Sequence, residues 1–266
     1  MLRKGWRIFF VSVLVLFGVR PLCFADTIFH DDFDGSTLDP AWTVSFGGET
    51  TSWNYYLSGS WLYVDNVDDT HWDNGSADDT HTWGTVTLTR PLNQPVTGRF
   101  KMDARIHWNY FYLNNKPPMQ YQHILLCDAS GNIVAGVGDH DQWCDNLGTK
   151  WATIGENTTN YDPNVLGQNG YAYLRITRQS NNNVSIYFSS NPSFSPDKII
   201  LTGTASDTIT QVIIQYGFFG WDGSGGPSRF QDEDIDYITI VPEPTSLMLL
   251  GLGLTGLLGI KNRKRR

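Results

Sequence analysis

The chain has 266 residues, a formal net charge of −8, 17% charged and 14% aromatic residues, and 10 Trp. Disordered chains lack aromatics and carry dense charge, so disorder is excluded. Nine of the 19 basic residues lie at the two ends, leaving 10 against 26 acidic residues in 26–241, a balance that repels phosphate backbones and excludes nucleic acid as a partner.

The N-terminus reads Met1-Leu-Arg-Lys-Gly-Trp-Arg7, then an apolar run from Ile8 to Val19, then Cys23-Phe24-Ala25. A basic start, a short apolar helix and a small-x-small end predict a signal peptide over residues 1–25, removed by signal peptidase. The alternative is a membrane anchor, but a helix of about 12 residues spans only ~18 Å of a ~30 Å hydrocarbon core.

Between Asp26 and Val241 no long stretch has the i, i+3, i+4 spacing of a helix. Near the start stands Asp31-Asp-Phe-Asp-Gly-Ser-Thr-Leu-Asp-Pro-Ala-Trp42. A short repeat follows: Asp68-Asp-Thr-His-Trp72 recurs as Asp78-Asp-Thr-His-Thr-Trp83. Asn74-Gly75 between the copies is a hairpin signal. It would set His71 opposite Asp78 and Asp68 opposite His81, on opposite faces. That arrangement argues against one shared metal and leaves a polar surface hairpin, or a ligand rim through Trp72 and Trp83. Arg99 to Tyr112 alternates most cleanly. Phe100, Met102, Ala104, Ile106, Trp108, Tyr110 and Tyr112 share one face; Arg99, Lys101, Asp103, Arg105, His107 and Asn109 share the other. Further strands are predicted over 121–128, 133–137, 171–178, 184–189, 198–201, 211–219 and 235–241. Turn signals at 129–132, 181–183 and 222–226 separate them. The fold class is therefore all-β, an antiparallel sandwich in one domain over 26–241.

The 31–42 segment, Leu174-Arg-Ile-Thr-Arg178 with the Asn-rich hairpin before Val184-Ser-Ile-Tyr187, and the closing Asp234-Ile-Asp-Tyr-Ile-Thr-Ile240 together resemble a concanavalin A-like lectin/glucanase domain. The resemblance implies a jelly-roll sandwich whose last strand pairs near its first. It also implies a Ca²⁺ site where those strands meet, for which Asp31, Asp32, Asp34, Asp232, Asp234 and Asp236 supply oxygens. A soluble acidic surface is the alternative. The hydrolytic members of that family carry Glu-x-Asp-x-x-Glu, and this sequence has none; residues 26–241 contain only Glu49, Glu156 and Glu233. No catalytic set is expected, although Asp232, Asp234 and Asp236 at i, i+2, i+4 have a spacing open to an inverting pair.

Cys127 and Cys144 remain once Cys23 leaves with the signal, and export favours a disulfide between them. In a plain meander with turns at Ser130-Gly131 and Asp139 the two would lie two strands apart, near 9.6 Å, so the bond requires residues 139–145 to fold back.

The C-terminus reads Val241-Pro242-Glu243-Pro244-Thr245-Ser246, an apolar run Leu247 to Ile260, then Lys261-Asn-Arg-Lys-Arg-Arg266. The prolines stop the preceding strand. The string resembles the PEP-CTERM sorting signal, with Pro242, Glu243 and Pro244 as its motif and residues 242–266 as its tail. That likeness implies a short apolar helix, at least transiently in the membrane. It also implies processing by an exosortase and delivery to the envelope or extracellular matrix of a Gram-negative bacterium. The expected function is non-catalytic, lectin-like binding of polysaccharide. Its candidate residues are Arg99, Lys101, Arg105, His107 and Asn109 on the long strand, and Trp72, Trp83, Trp143, Trp151 and Trp221 in turn-rich stretches. The alternatives are a purely structural matrix protein and a glycoside hydrolase or lyase.

Overall fold

The computed structural model describes residues 27–48, 53–66, 81–109, 119–140, 149–161, 169–194, 198–221 and 233–243. They form the strands β1 (Phe29–Asp31), β2 (Thr43–Gly48), β3 (Trp53–Leu57), β4 (Leu62–Asn66), β5 (His81–Val96), β6 (Phe100–Asn109), β7 (Met119–Cys127) and β8 (Ile133–His140), followed by β9 (Thr149–Ile154), β10 (Asn157–Tyr161), β11 (Asn169–Arg178), β12 (Asn183–Ser189), β13 (Lys198–Thr204), β14 (Ile209–Trp221) and β15 (Glu233–Pro242). Two antiparallel sheets result. One, the β6 sheet, runs β13-β12-β11-β6-β15-β4-β3, and β1 also pairs with β15. The other, the β7 sheet, runs β10-β9-β8-β7-β14-β5-β2.

The core is the inward half of each alternating strand. Phe100, Met102, Ala104 and Ile106 of β6 are buried together with Ala172, Leu174 and Ile176 of β11. From the other sheet come Ile124 and Leu126 of β7, Val86 and Leu88 of β5, and Val212, Ile214 and Tyr216 of β14. The faces expected for residues 100–106 are therefore observed. Tyr110, Tyr112 and the Trp108 side chain lie outside the described residues. The seven further strands expected from alternation are all present with extended ends, and Phe29 pairs with Ile240, joining first strand to last.

One local expectation is corrected. Asp139 is not a turn: it pairs with Lys150, so β8 runs on to His140 and β9 begins at Thr149. The hairpin expected about Asn74-Gly75, with Asp68, His71, Trp72 and Asp78, lies outside the described residues, as do the expected terminal helices. Among the described residues no helix is long and apolar enough to cross a membrane.

One cation sits inside this core. Arg178, the last residue of β11, points inward and is fully buried. Its Nε donates to Gly98 O at 2.9 Å, Nη1 to Asp207 O at 2.6 Å and Nη2 to Val96 O at 2.8 Å. Its guanidinium lies 5.1 Å from the Phe100 ring centroid. Burial lowers its pKa and the Asp207 carboxylate opposes that shift. Val96 and Gly98 flank the connection from β5 to β6, and Asp207 lies in the connection from β13 to β14. Both connections pass from one sheet to the other, so a single side chain satisfies carbonyls on two crossovers.

Removing one partner of a buried hydrogen bond costs about 1–3 kcal/mol. Arg178→Ala, which strands three acceptors, is expected to destabilise the domain by roughly 3 kcal/mol or more in denaturant titration. Arg178→Lys should recover less than half of that loss, because one ammonium does not match the planar fork.

Candidate functional site

The outer face of the β7 sheet is built from the residues that alternate with its core positions. Register aligns Trp151 with Gly138, Gly138 with His123, His123 with Gln215, Gln215 with Thr87, and Thr87 with Ser45. One row thus crosses six strands, about 24 Å at ~4.8 Å per strand. It contains indole, imidazole, amide and hydroxyl groups and no ionised carboxylate, ammonium or guanidinium. The flanking rows are Thr153, Gly136, Leu125, Ile213, Thr89 and Thr43 on one side, and Tyr121, Gly217, Thr85 and Gly47 on the other.

Glycine shapes this face. The Trp151 and His123 rings stack at 3.9 Å and 16° although β8 runs between their strands, and the Tyr121 ring continues the stack at 4.7 Å and 24° from His123. A Cβ at Gly138 would fall 1.9 Å from the Gln122 carbonyl oxygen. A Cβ at Gly217 would fall 1.8 Å from Cζ of Tyr121, and one at Gly136 would meet Leu125 and Trp151 at 2.7 and 3.0 Å. Burial raises the Tyr121 phenol, which stays a neutral donor. Alternation in 121–127 and the Gly136-x-Gly138 pair were the signals in the sequence, since strand glycines mark close approach. Trp151, expected in a loop, stands in β9.

The outer face of the β6 sheet carries the residues expected to bind ligand. Lys101, Arg105 and His107 project outward, each beside a carboxylate. Lys101 Nζ lies 2.8 Å from Asp103, and Arg175 forms two hydrogen bonds to Asp103 at 2.6 and 3.0 Å. Arg105 Nη1 donates to Asp236 at 2.8 Å, and His107 Nδ1 lies 3.4 Å from Asp234. The pairing slips between Ile235 and Tyr237, so Asp236 is the extra residue of a bulge that turns its carboxylate to Arg105. The Arg105 guanidinium sits 4.3 Å from the Tyr171 ring centroid and 5.2 Å from that of Trp61. Here too a row crosses the strands: Tyr56 pairs with Tyr63, Tyr63 with Asp234, Asp234 with His107, and His107 with Tyr171. The Tyr56 and Tyr63 rings stack at 4.9 Å. Arg99 is half-buried just before β6. The side chains of Asn109, Trp83 and Trp221 and the whole of Trp72 and Trp143 lie outside the described residues.

The two acidic sets have separate partners. Asp31 accepts hydrogen bonds from Phe33 N at 3.0 Å, from Trp42 Nε1 at 2.7 Å and from Arg90 Nη1 at 2.5 Å. Arg90 also holds Asp39 at 2.7 Å. Asp32 lies 3.6 Å from His30 Nε2, and Asp32 and Asp34 line a small pocket with Arg90. Asp234 and Asp236 face His107 and Arg105 instead, and Asp232 lies outside the described residues. Among the described residues no three His, Cys, Asp or Glu side chains are grouped to hold a metal ion.

The disulfide expectation is corrected. Cys127 is a buried free thiol, pushed up to about 11 by burial and by Asp128. Cys127 pairs with Ile133 at one end of β8, whereas His140 and Thr149 pair at the other end. The seven residue steps between are ~23 Å at about 3.3 Å each. Cys144 lies outside the described residues.

Residues 241–266 match the PEP-CTERM protein-sorting motif, the mark of an exported, envelope-sorted protein. Pro242 ends β15 opposite Phe100, Glu243 follows it, and Pro244 lies outside the described residues. No curated protein matches the chain in sequence. Solved structures match its fold. The endo-1,3-β-glucanase of Streptomyces sioyaensis is 19% identical with a TM-score of 0.54, covering 81% of this chain and 95% of its own. An immunostimulatory antigen and pseudo β-1,3-glucanase of Mycobacterium tuberculosis is 14% identical with a TM-score of 0.50, covering 82% and 99%. Lectin II of Ulex europaeus is 11% identical with a TM-score of 0.47, covering 83% and 100%. The two glucanase-type structures thus share the fold of this chain, an antiparallel sandwich of the concanavalin A-like type.

The glycine geometry gives a coupling test. Overpacking a tight site costs about 1–3 kcal/mol. Gly217→Ala should cost that much in the native background and less beside Tyr121→Ala, with an interaction energy above about 0.5 kcal/mol in a double-mutant cycle. For the thiol, Cys127 should resist alkylation in the native protein at pH 8 and react fully in denaturant; peptide mapping that finds Cys127 cross-linked to Cys144 would overturn the free-thiol assignment.

Proposed function

We propose that the exported domain binds a neutral polysaccharide on the outer face of the β7 sheet and does not cleave it. The observation that carries this reading is the six-strand row from Trp151 to Ser45, an aromatic stack continued by an amide and hydroxyls with no charged side chain in it. Sugars present alternating apolar faces and hydroxyl edges. They are held by aromatic rings together with a few placed polar groups. The length of the row suits a chain of sugars better than a single one.

Two features favour binding over hydrolysis. Glycoside cleavage uses two carboxyl groups about 5–9.5 Å apart across the scissile bond. The outward positions described here for β7, β8, β9 and β14 carry no Asp or Glu. The sorting motif supports this reading: an exported, envelope-sorted domain, processed by an exosortase at the Pro242-Glu243-Pro244 segment, meets envelope and matrix polysaccharide. A glucanase-like fold without the acid pair is a sound scaffold for retention in that matrix.

The test uses laminarin, a soluble neutral β-1,3-glucan, within a panel of neutral glycans. The protein should retard in gels containing a bound glycan and release no new reducing ends. Trp151→Ala should weaken binding about tenfold, equivalent to ~1.4 kcal/mol, with the fold intact. Reducing-end release by the wild type would replace this reading with hydrolysis, and binding unchanged in Trp151→Ala would move the site off this face.

A further inference from the structure

The β6 sheet bears a second face with recognition chemistry of its own, and we propose that it is a second neutral-polysaccharide site, so that one domain bridges two glycan chains from opposite sides of the sandwich. Its row reads Tyr56, Tyr63, Asp234, His107, Tyr171 across five strands, about 19 Å. Aromatic rings stand at both ends and an acid–imidazole pair in the middle. The terminal rings are open to solvent: Tyr56 is 44% exposed and Tyr171 47%. Core packing therefore does not account for them. Asp234 is buried behind His107, so the surface presents ring, imidazole and ring, which meet apolar sugar faces and the hydroxyls between them.

Arg105 and Trp61 extend the platform beside that row. The guanidinium lies over the Tyr171 ring, and the Trp61 ring centroid is 5.6 Å from that of Tyr171. Arg105 is fixed by Asp236, whose position at the bulge aims it there. The bulge leaves Asp236 without a strand partner between Ile235 and Tyr237, with its carboxylate turned to Arg105.

Charge selects the ligand class. Asp103 faces Lys101 and Arg175, Asp236 faces Arg105, and Asp234 faces His107. Three carboxylates thus face three permanent cations and one imidazole. A uronate or sulfated glycan would have to displace carboxylates already in place, whereas an uncharged chain needs no such exchange. The two faces are separated by the shared core, stacked sheets being ~10 Å apart, so a rigid glycan cannot reach both. Two ligand chains follow, and with them cross-linking.

The experiment compares the wild type with Trp151→Ala, with Tyr56→Ala/Tyr171→Ala, and with all three changes combined. Short laminarin oligosaccharides are titrated by calorimetry, and beads coated with laminarin or with alginate are scored for agglutination. Both tyrosines are exposed, so melting transitions should match the wild type. Two oligosaccharides per chain are expected, with agglutination of laminarin beads and not of alginate beads. Trp151→Ala should weaken one site about tenfold and the tyrosine pair the other, each with loss of agglutination, and the combined variant should weaken both. One site in the wild type, two unweakened sites in the tyrosine variant, or loss of all binding in Trp151→Ala would overturn the second site while leaving the first. Full binding in Trp151→Ala with none in the tyrosine variant would overturn bridging and the β7-sheet site together, leaving the β6 face alone. A change of oligomeric state in the tyrosine variant with unaltered stoichiometry would reassign the face to self-association. Agglutination of alginate beads would overturn the neutral class, and no binding by the wild type to laminarin or to the neutral panel would overturn both sites.

Discussion

Two cross-strand positions without side chains, Gly138 and Gly217, determine what the β7 sheet can present. Side chains on neighbouring antiparallel strands normally stand beside one another, with Cβ atoms about 4.5–5.5 Å apart. Trp151 and His123 are not on neighbouring strands; β8 separates them by two strand spacings. Their rings meet at 3.9 Å because nothing rises from β8 between them. At Gly138 the backbone itself is close-packed against the Gln122 carbonyl, so the position excludes even alanine without a local shift. At Gly217 the Tyr121 ring occupies the volume a side chain would need. The stack is therefore a property of strand register, and any slip of β7 against β8 or β14 would dissolve it.

That register is secured by polar ties between the two sheets. Arg178 holds the carbonyls of Val96, Gly98 and Asp207, on the two connections that cross between sheets. A buried guanidinium with only carbonyl partners gains less than a true ion pair, but it makes three hydrogen bonds that no apolar residue could make. Elsewhere Asp31 of β1 joins Arg90 of β5, again one sheet to the other, with Trp42 Nε1 and Asp39 completing the network. Charged side chains in this protein thus align the two layers, while the apolar positions between them supply the bulk of the stabilisation.

Much of the fold was legible in the sequence because period-two alternation is strong wherever one face is buried. Residues 99–107 show it directly, and the faces read from them are those observed. The pairing of first and last strands was legible too, through the motifs at 31–42 and 234–240. The β7-sheet site was harder to read. Its members are scattered over six strands, and they become neighbours only through register, which a single sequence does not specify. Trp151 carries no local mark that separates a strand ring from a loop ring. The Gly136-x-Gly138 pair was the one local hint. β4 and β5, the described strands on either side of Asn74-Gly75, belong to different sheets, and turn chemistry alone carries no information about which sheet a strand joins. The disulfide expectation failed for a related reason: the position of the β8–β9 loop depends on how far β8 extends, and alternation did not mark that end.

The two proposed faces would meet a glycan under different electrostatic constraints. On the β7 sheet, charge is absent from the row, so a hydroxyl-rich ligand meets groups that lose little on desolvation. On the β6 sheet, charge is present but internally matched, and each ion keeps its partner when water leaves. Matched pairs are also what a hydrolytic site lacks. The acid of a glycosidase is kept protonated by an apolar surround or by a second carboxylate. Asp234 and Asp236 instead face the His107 imidazole and the Arg105 guanidinium. Two residues apart on one strand, these carboxylates order His107 and Arg105 beside Tyr171.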